Sequence, residues 1–474
     1  MAGCEAGMNA AAGGTPPVEN NAMQETKHPR GVLPPGPQKR IPLWKVRSFR
    51  EDLLEHIMRL KRDYGDISSM RFANFDIVVL GDPDHVKRVL VNDYAVFEKS
   101  LGMQRMKFVF GEGLLTSEGE FHRRQRQLVA PAFHREALKN YAEDMIAYAV
   151  RTRDAWQDGA EFDVNQEMMR LTLAIVAKTL FDANVDDAAD TVGKALEDLL
   201  ENYTKMFLPL ATLLVRVIPS PSNRRLLRGR RTLDKIIYGL IDQRRASGET
   251  GTDLLGMLLA SREEGGGGGM TPRQVRDEAM TLFLAGHETT AVGLSWTWKL
   301  LSENPEVRAK LEAELEEVLQ GRTPRYEDYP KLTYTRKVFQ ESMRIYPPAY
   351  ATGRRLKQDY EIGGYTLRAK KTMIFVSPYL MHHDARWFPE PERFDPDRWT
   401  PEFEAGLHKF AYFPFGGGPR ICIGANFAWM EAVLVLATLA QRWRIHLLPG
   451  QDIKLSPQIT LRPSPGIQVR LEAR

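Results

Sequence analysis

Cys422 is one of two cysteines among 474 residues, and its surroundings suit a thiolate held against a metal. It lies in Phe415-Gly416-Gly417-Gly418-Pro419-Arg420-Ile421-Cys422-Ile423-Gly424, between a glycine-rich turn and an apolar run, Ala425 to Trp443, that opens as a helix. The first amides of a helix lack partners within it, and its dipole is positive at that end. Both effects favour the anionic sulfur. The glycines reach backbone angles closed to other residues, so the loop can bend tightly beneath a flat ligand. Phe415 is placed to cover the sulfur, and Arg420 to set a positive charge near it. A lone cysteine is about ten times more often a small buried hydrophobe than a ligand; only the whole ten-residue pattern reverses those odds.

Three further groups could carry chemistry. Ala285-Gly286-His287-Glu288-Thr289-Thr290 falls inside a long helical stretch. Glycine weakens a helix, and threonine hydroxyls can bond carbonyls one turn back. A kink tolerated by packing would account for this fault; so would a site that needs a hydroxyl beside a carboxylate to pass protons. Glu341 and Arg344 lie three apart on one helix face and can pair. His122 and Arg126, four apart in Gly119-Glu120-Phe121-His122-Arg123-Arg124-Gln125-Arg126, also share a face, and Arg354 adds a cation after Gly353. His382-His383-Asp384 has the look of a metal cluster, yet no cysteine or acidic ligand set stands near it.

Elements must hold these groups in place. The residues predict a hairpin, Ile67 to Phe72 and Asp76 to Leu80 around Ala73-Asn74. Asp82 and Pro83 read as the cap and first turn of a helix. Pro131 to Gln243 is mostly helical by its apolar spacing. Gly265 to Gly269 reads as a linker. Thr271-Pro272-Arg273-Gln274 is a capping box that opens a helix running to about Ser302, with Asn304-Pro305 starting the next. Val307, Leu311, Leu315 and Leu319 mark its apolar face. A helix from about Thr333 to Tyr346 stops at Pro347-Pro348. Strands are expected at Glu361 to Leu367, Thr372 to Ser377, Ile459 to Leu461 and Ile467 to Leu471. The fold class is therefore mostly α with a smaller β-rich part.

Composition sets bounds. Hydrophobic residues make up 43% and charged residues 27%, normal for a globular chain. A net charge of +4 is too small to argue for nucleic acid, and the run Arg224, Arg225, Arg228, Arg230 and Arg231 reads as a solvated helix face. Two cysteines make no disulfide framework, so a reducing cytoplasm is expected. Residues 1–33 read as a disordered tail with no apolar run, and 34–474 as a single domain. Met206 to Ile218 is apolar but broken by Pro209 and Arg216, too short to span a bilayer.

The Cys422 segment resembles the cysteine-ligand loop of the cytochrome P-450 family, Phe-x-x-Gly-x-Arg-x-Cys-x-Gly, with Phe415, Gly418, Arg420, Cys422 and Gly424 at every fixed position. The other motifs follow in family order. The resemblance implies haem b with Cys422 as axial thiolate and His122, Arg126, Arg354 and Arg420 around the propionates; His122 stands where tryptophan is usual. It implies that Thr289 faces the oxygen site and Glu288 helps deliver protons, and that Glu341, Arg344 and Arg393 form a buried structural triad. Substrate-contact regions of the family fall on Phe97, Leu101, Met103, Met106 and Leu114, on Leu282, Phe283 and Ala285, and on Ala349, Tyr350, Ala351 and Leu461. The implied activity is monooxygenation of a lipophilic small molecule (fatty acid, terpenoid or steroid) with O2. No flavin or nicotinamide segment follows the haem region, so electrons are expected from a separate ferredoxin or flavodoxin, docking near Arg123 and Arg124. A peroxygenase or isomerase, or a haem sensor without turnover, are the alternatives; the retained Glu288-Thr289 pair argues against each.

Overall fold

A computed structural model describes residues 28–474 apart from 30, 43–44, 184–188, 202–210, 249–250, 252 and 262–268. Residues 1–27 and 30 of the expected tail, 265–268 of the linker and 206–210 of the Met206–Ile218 stretch lie outside the described residues. The end of the expected tail is instead ordered, with the His28 N–H on Gly364 O and the Gly31 N–H on Thr366 O, both at 2.9 Å, and Ala211–Val217 is a helix.

The helical body is organised around Pro272–Glu303, 32 residues long. At a rise of about 1.5 Å per residue it crosses the whole molecule. Its start is as read from sequence: Thr271 and Gln274 form the reciprocal capping box, with Pro272 in the first turn. Apolar side chains are buried on nearly every face of it, the pattern of a helix enclosed by others. The main partner is Val164–Phe181. Gly286 explains part of that fit: a Cβ there would stand 2.9 Å from Val176 Cγ2. The glycine is thus a packing requirement, and the helix continues unbroken through it. Arg135–Ala155 and Ala425–Ala440 pack together beside this pair. The apolar run expected to Trp443 divides here, since Trp443–Leu447 turns into a strand.

The largest sheet among the described residues has five strands, in the order Ile67–Phe72, Phe75–Leu80, Thr372–Val376, Thr352–Leu356, Phe97–Lys99. The hairpin register pairs Phe72 with Phe75 across Ala73 and Asn74, as expected, and Ala73 takes a left-handed φ of 48°. Thr352–Leu356 and Phe97–Lys99 carry no alternating apolar signal and are not legible as strands; each is short and carries two adjacent charged residues. The strand expected over Glu361 to Leu367 is instead a hairpin, Tyr360–Ile362 and Tyr365–Leu367, broken by Gly363 and Gly364, both at positive φ. The Ile459–Leu461 strand is displaced: Lys454–Pro457 pairs with Leu461–Ser464, and Ile459 lies in the turn between them. No helix among the described residues is long and apolar enough to cross a membrane.

Candidate active site

A cavity of about 430 Å³ lies between the long helix, the sheet and the Cys422 loop. Thr281, Leu282 and Ala285 reach it from the helix, Met103 and Leu114 from the segment before Gly119, and Tyr350, Ala351 and Phe375 from the sheet side. The hairpin adds Met70, Phe72 and Ile77 from its inner face. Cys422 lies in the wall and is exposed, yet protein surrounds it closely enough that burial pushes its thiol up. The Gly424 N–H bonded to the sulfur and the nearby Arg126 charge pull the other way.

The loop geometry follows from its glycines. Gly418 sits at φ +66°, where a Cβ would stand 2.0 Å from Leu90 O, so no other residue fits without moving backbone. The Cys422 N–H donates to Phe415 O at 3.0 Å and closes the turn. Phe415 does not cover the sulfur from the cavity side; its ring packs on Trp429, centroids 5.9 Å apart. Gly424 likewise acts from behind, through its N–H. The cation acting on Cys422 is Arg126 rather than Arg420. Arg420 donates to Ser117 O at 3.0 Å and pairs with Glu118.

Five basic side chains converge on the cavity wall: Lys99, His122, Arg126, Arg354 and Arg420. Lys99 has no motif around it and no sequence signal marks it; only the pairing of Phe97–Lys99 with Thr352–Leu356 brings it to the cavity. Its ammonium donates to the carbonyls of Leu114 (3.1 Å) and Leu115. Burial and then the Arg420 charge push Lys99 well down. Arg354 is pushed down to about 10, by burial and then Arg420. His122 falls to about 3, by burial and then the charges of Arg420, Lys99 and Arg126, so its imidazole is neutral and offers a hydrogen bond without a charge. Glu118 opposes the crowding of Lys99, Arg354 and Arg420 from close by. Cations that depress one another around a cavity suit a dianionic ligand. A thiol at one wall and surplus cations at the rim thus fit a haem, with Cys422 toward the iron and the cations toward the propionates.

Other expected residues are placed differently. Phe283 faces Phe181 and His287 behind the long helix. Leu461 is fully buried, and its carbonyl accepts from Trp296 Nε1 at 2.8 Å. Neither lines the cavity, and Phe97, Leu101, Met106 and Ala349 do not either; Met103, Leu114, Leu282, Tyr350, Ala285 and Ala351 do. Thr289 Oγ1 donates to Ala285 O at 2.7 Å, one turn back on the face of Ala285. Glu288 is buried and accepts from Thr460 Oγ1 (2.6 Å) and from Arg462 (2.8 Å). His382 Nε2 accepts the Phe413 N–H at 3.1 Å, and Asp384 pairs with Lys61 and Arg386, so both have structural partners.

The triad needs one correction. Glu341 and Arg344 pair in full burial, with both N–O distances 2.9 Å. The third member is Arg398, whose Nε donates to Glu341 Oε1 at 2.9 Å. Arg393 offers only its backbone carbonyl to Arg344 (3.1 Å), while its side chain is exposed beside Glu390. Both arginines follow a proline-acid pair, so local sequence does not separate them. Only the turn at Asp395, which caps Pro396–Arg398, aims Arg398 inward.

Residues 34–471 match the family model described as Cytochrome P450. Cyclooctatin synthase of Streptomyces melanosporofaciens is 38% identical over 405 residues, 85% of this chain and 88% of that protein. Pentalenene oxygenase of Streptomyces avermitilis is 34% identical over 421 residues, covering 88% and 93%. Among solved structures, the cytochrome P450DA heme domain superimposes with a TM-score of 0.82 at 25% identity, over 95% of this chain and 98% of that one.

Proposed function

The chain belongs to the cytochrome P450 family and is a P450 monooxygenase, and we propose that it oxidises a terpenoid with Cys422 as the thiolate ligand of haem b. The observation that carries this reading is Cys422 opening onto an apolar cavity whose rim holds surplus cations. When bound, haem supplies the activation of O2.

The chain's own residues supply the rest. Cys422 gives the thiolate, with the Gly424 N–H and Arg126 favouring its charge. Lys99, Arg126, Arg354 and Arg420 hold the propionates by charge-assisted bonds, and His122 adds a neutral one. Phe49, Leu53, Phe72 and Phe375 give the wall its apolar character and keep water from the substrate. Such a wall selects by shape and suits a hydrocarbon skeleton. Relatives named for cyclooctatin, cyclooctat-9-en-7-ol and pentalenene favour a terpenoid over a fatty acid or steroid. Glu288 and Thr289 move protons: the carboxylate leaves Arg462 and Thr460, and Thr289 Oγ1 carries the proton toward the cavity. Residues 34–474 act as one haem domain. The electron donor is a separate acidic ferredoxin or flavodoxin, on the side of helix Gly119–Val129 that carries Arg123. We place the protein in the cytoplasm, in keeping with its two cysteines.

Turnover tests this reading. Terpenoid hydrocarbons and alcohols, fatty acids and steroids are first screened for a spin-state shift. Hits are then incubated with NADPH, O2 and a surrogate reductase, or with peroxide alone. An oxygenated terpenoid in the first arm is the expected result. Product only with peroxide makes the protein a peroxygenase, and no product in either arm leaves it a haem carrier.

A further inference from the structure

The outer face of the first hairpin carries a feature that the oxidation does not use. Side chains alternate along a strand. Met70, Phe72 and Ile77 line the substrate cavity, whereas Arg71, Asn74 and Asp76 line a second cavity of about 310 Å³. Arg40 closes it on one side, and Arg368, Lys371 and Thr372 close it on another. Four cations and one carboxylate therefore share one small space.

Those charges are not used up internally. Arg71 and Asp76 stand directly opposite in the hairpin register, a position that favours a cross-strand ion pair. Yet Arg71, Arg368 and Lys371 make no ion pair with any described residue. Arg40 reaches only the Ala73 carbonyl. Arg368 lies over Gly31, where a Cβ would stand 2.2 Å from its Nε and φ is +80°. The Gly31 N–H is tied to Thr366 O at 2.9 Å, so Gly31 is pinned as part of the wall. The wall also holds the Thr372 hydroxyl, buried and without a protein partner.

Like charges gathered in one concavity repel, and a multiply charged anion relieves them. Arginine forks match the geometry of phosphate oxygens. We propose that this cavity binds a phosphate group, carried by a pyrophosphate, a phosphomonoester or a lipid headgroup. Asp76 limits the excess of positive charge and disfavours large polyanions.

Calorimetric titration of the haem-loaded full chain with sodium pyrophosphate, at constant ionic strength, tests the site. The double variant Arg71→Gln/Arg368→Gln is compared with Arg393→Gln/Lys357→Gln, which removes equal charge elsewhere. The expected result is saturable one-site binding, weakened at least tenfold in the first variant and unchanged in the second. A second arm measures sedimentation with phosphatidate or phosphatidylcholine vesicles. Arg71-dependent recruitment by phosphatidate without pyrophosphate binding assigns the phosphate to lipid; pyrophosphate binding alone assigns it to a soluble ligand. Equal loss in both variants, or no saturable binding in either arm, overturns the site and leaves four separately solvated cations.

Discussion

Arg344 and Arg354 are both largely buried arginines, and they have opposite surroundings. Arg344 donates twice to Glu341, once to His382 O (3.0 Å) and once to Arg393 O (3.1 Å). Glu341 in turn accepts from Arg398, the Trp399 indole and the Asp395 amide. Every charge there has a partner inside the protein. Among the described residues Arg354 bonds only the Thr352 hydroxyl and the Gly353 carbonyl, and the Arg420 charge adds to burial in opposing its own, against a smaller pull from Glu118. A closed network is structure; an open one, facing a cavity, suits a ligand. The difference separates residues that hold the fold from residues proposed to hold a ligand, without reference to any motif.

Breaking the closed network has the largest expected effect. Arg344→Leu leaves Glu341 buried without its main partner, at a cost of about 3–5 kcal/mol. Little folded protein is expected on expression, and chemical denaturation of whatever survives measures the loss. A loss under about 1 kcal/mol would mean the pair is not structural. The corrected triad sharpens the same point. Arg398→Leu removes a hydrogen bond to a buried carboxylate, worth about 1.5–3 kcal/mol. Arg393→Ala, at an exposed side chain, stays within about 0.5 kcal/mol. Reversal of that order would restore Arg393 to the triad.

The open network predicts a different signature. Arg354→Gln leaves the unfolding midpoint of haem-free protein unchanged or slightly higher, because it relieves repulsion with Arg420. The same change weakens haem retention about tenfold, since one charge-assisted bond is worth about 1.5 kcal/mol. Haem transfer to apomyoglobin reads the second effect, and equal damage to both forms would contradict the division.

A lone acid gives an effect that shows only in the pH profile. Glu431 is buried in Ala425–Ala440, and neither oxygen has a hydrogen bond. Thr290 lies close by, but its hydroxyl donates to Gly286 O. Burial raises the Glu431 pKa from 4.5 to about 8. The fold therefore favours the neutral form, and that contribution is complete below about pH 4.5 and lost as pH rises to about 8. Glu431→Gln should flatten the stability profile over that window, with little change at pH 4.5. An unchanged slope would show that Glu431 is not protonated in the fold.

Motif and periodicity carried the helices, the Cys422 loop and the first hairpin, because each is specified locally. Thr271 caps with Gln274 wherever that tetrapeptide opens a helix, and Gly418 is required by its own φ. What failed depends on distant chain. Arg398 and Arg393 differ only in which way a later turn aims them. Lys99 becomes a cavity residue because Phe97–Lys99 pairs with Thr352–Leu356, far away in sequence. Phe283 and Leu461 were assigned to the pocket by position along the chain, and rotation about the helix or strand put them elsewhere. Arg420 was read as the charge beside the sulfur, yet Glu118 draws it aside.

The carbon monoxide spectrum of the reduced, haem-loaded protein tests the central claim most directly. The account predicts the red-shifted band of a thiolate-ligated haem in the parent protein and its disappearance in Cys422→Ser. The same band in both proteins, or a nitrogen-ligand band in the parent, would contradict it.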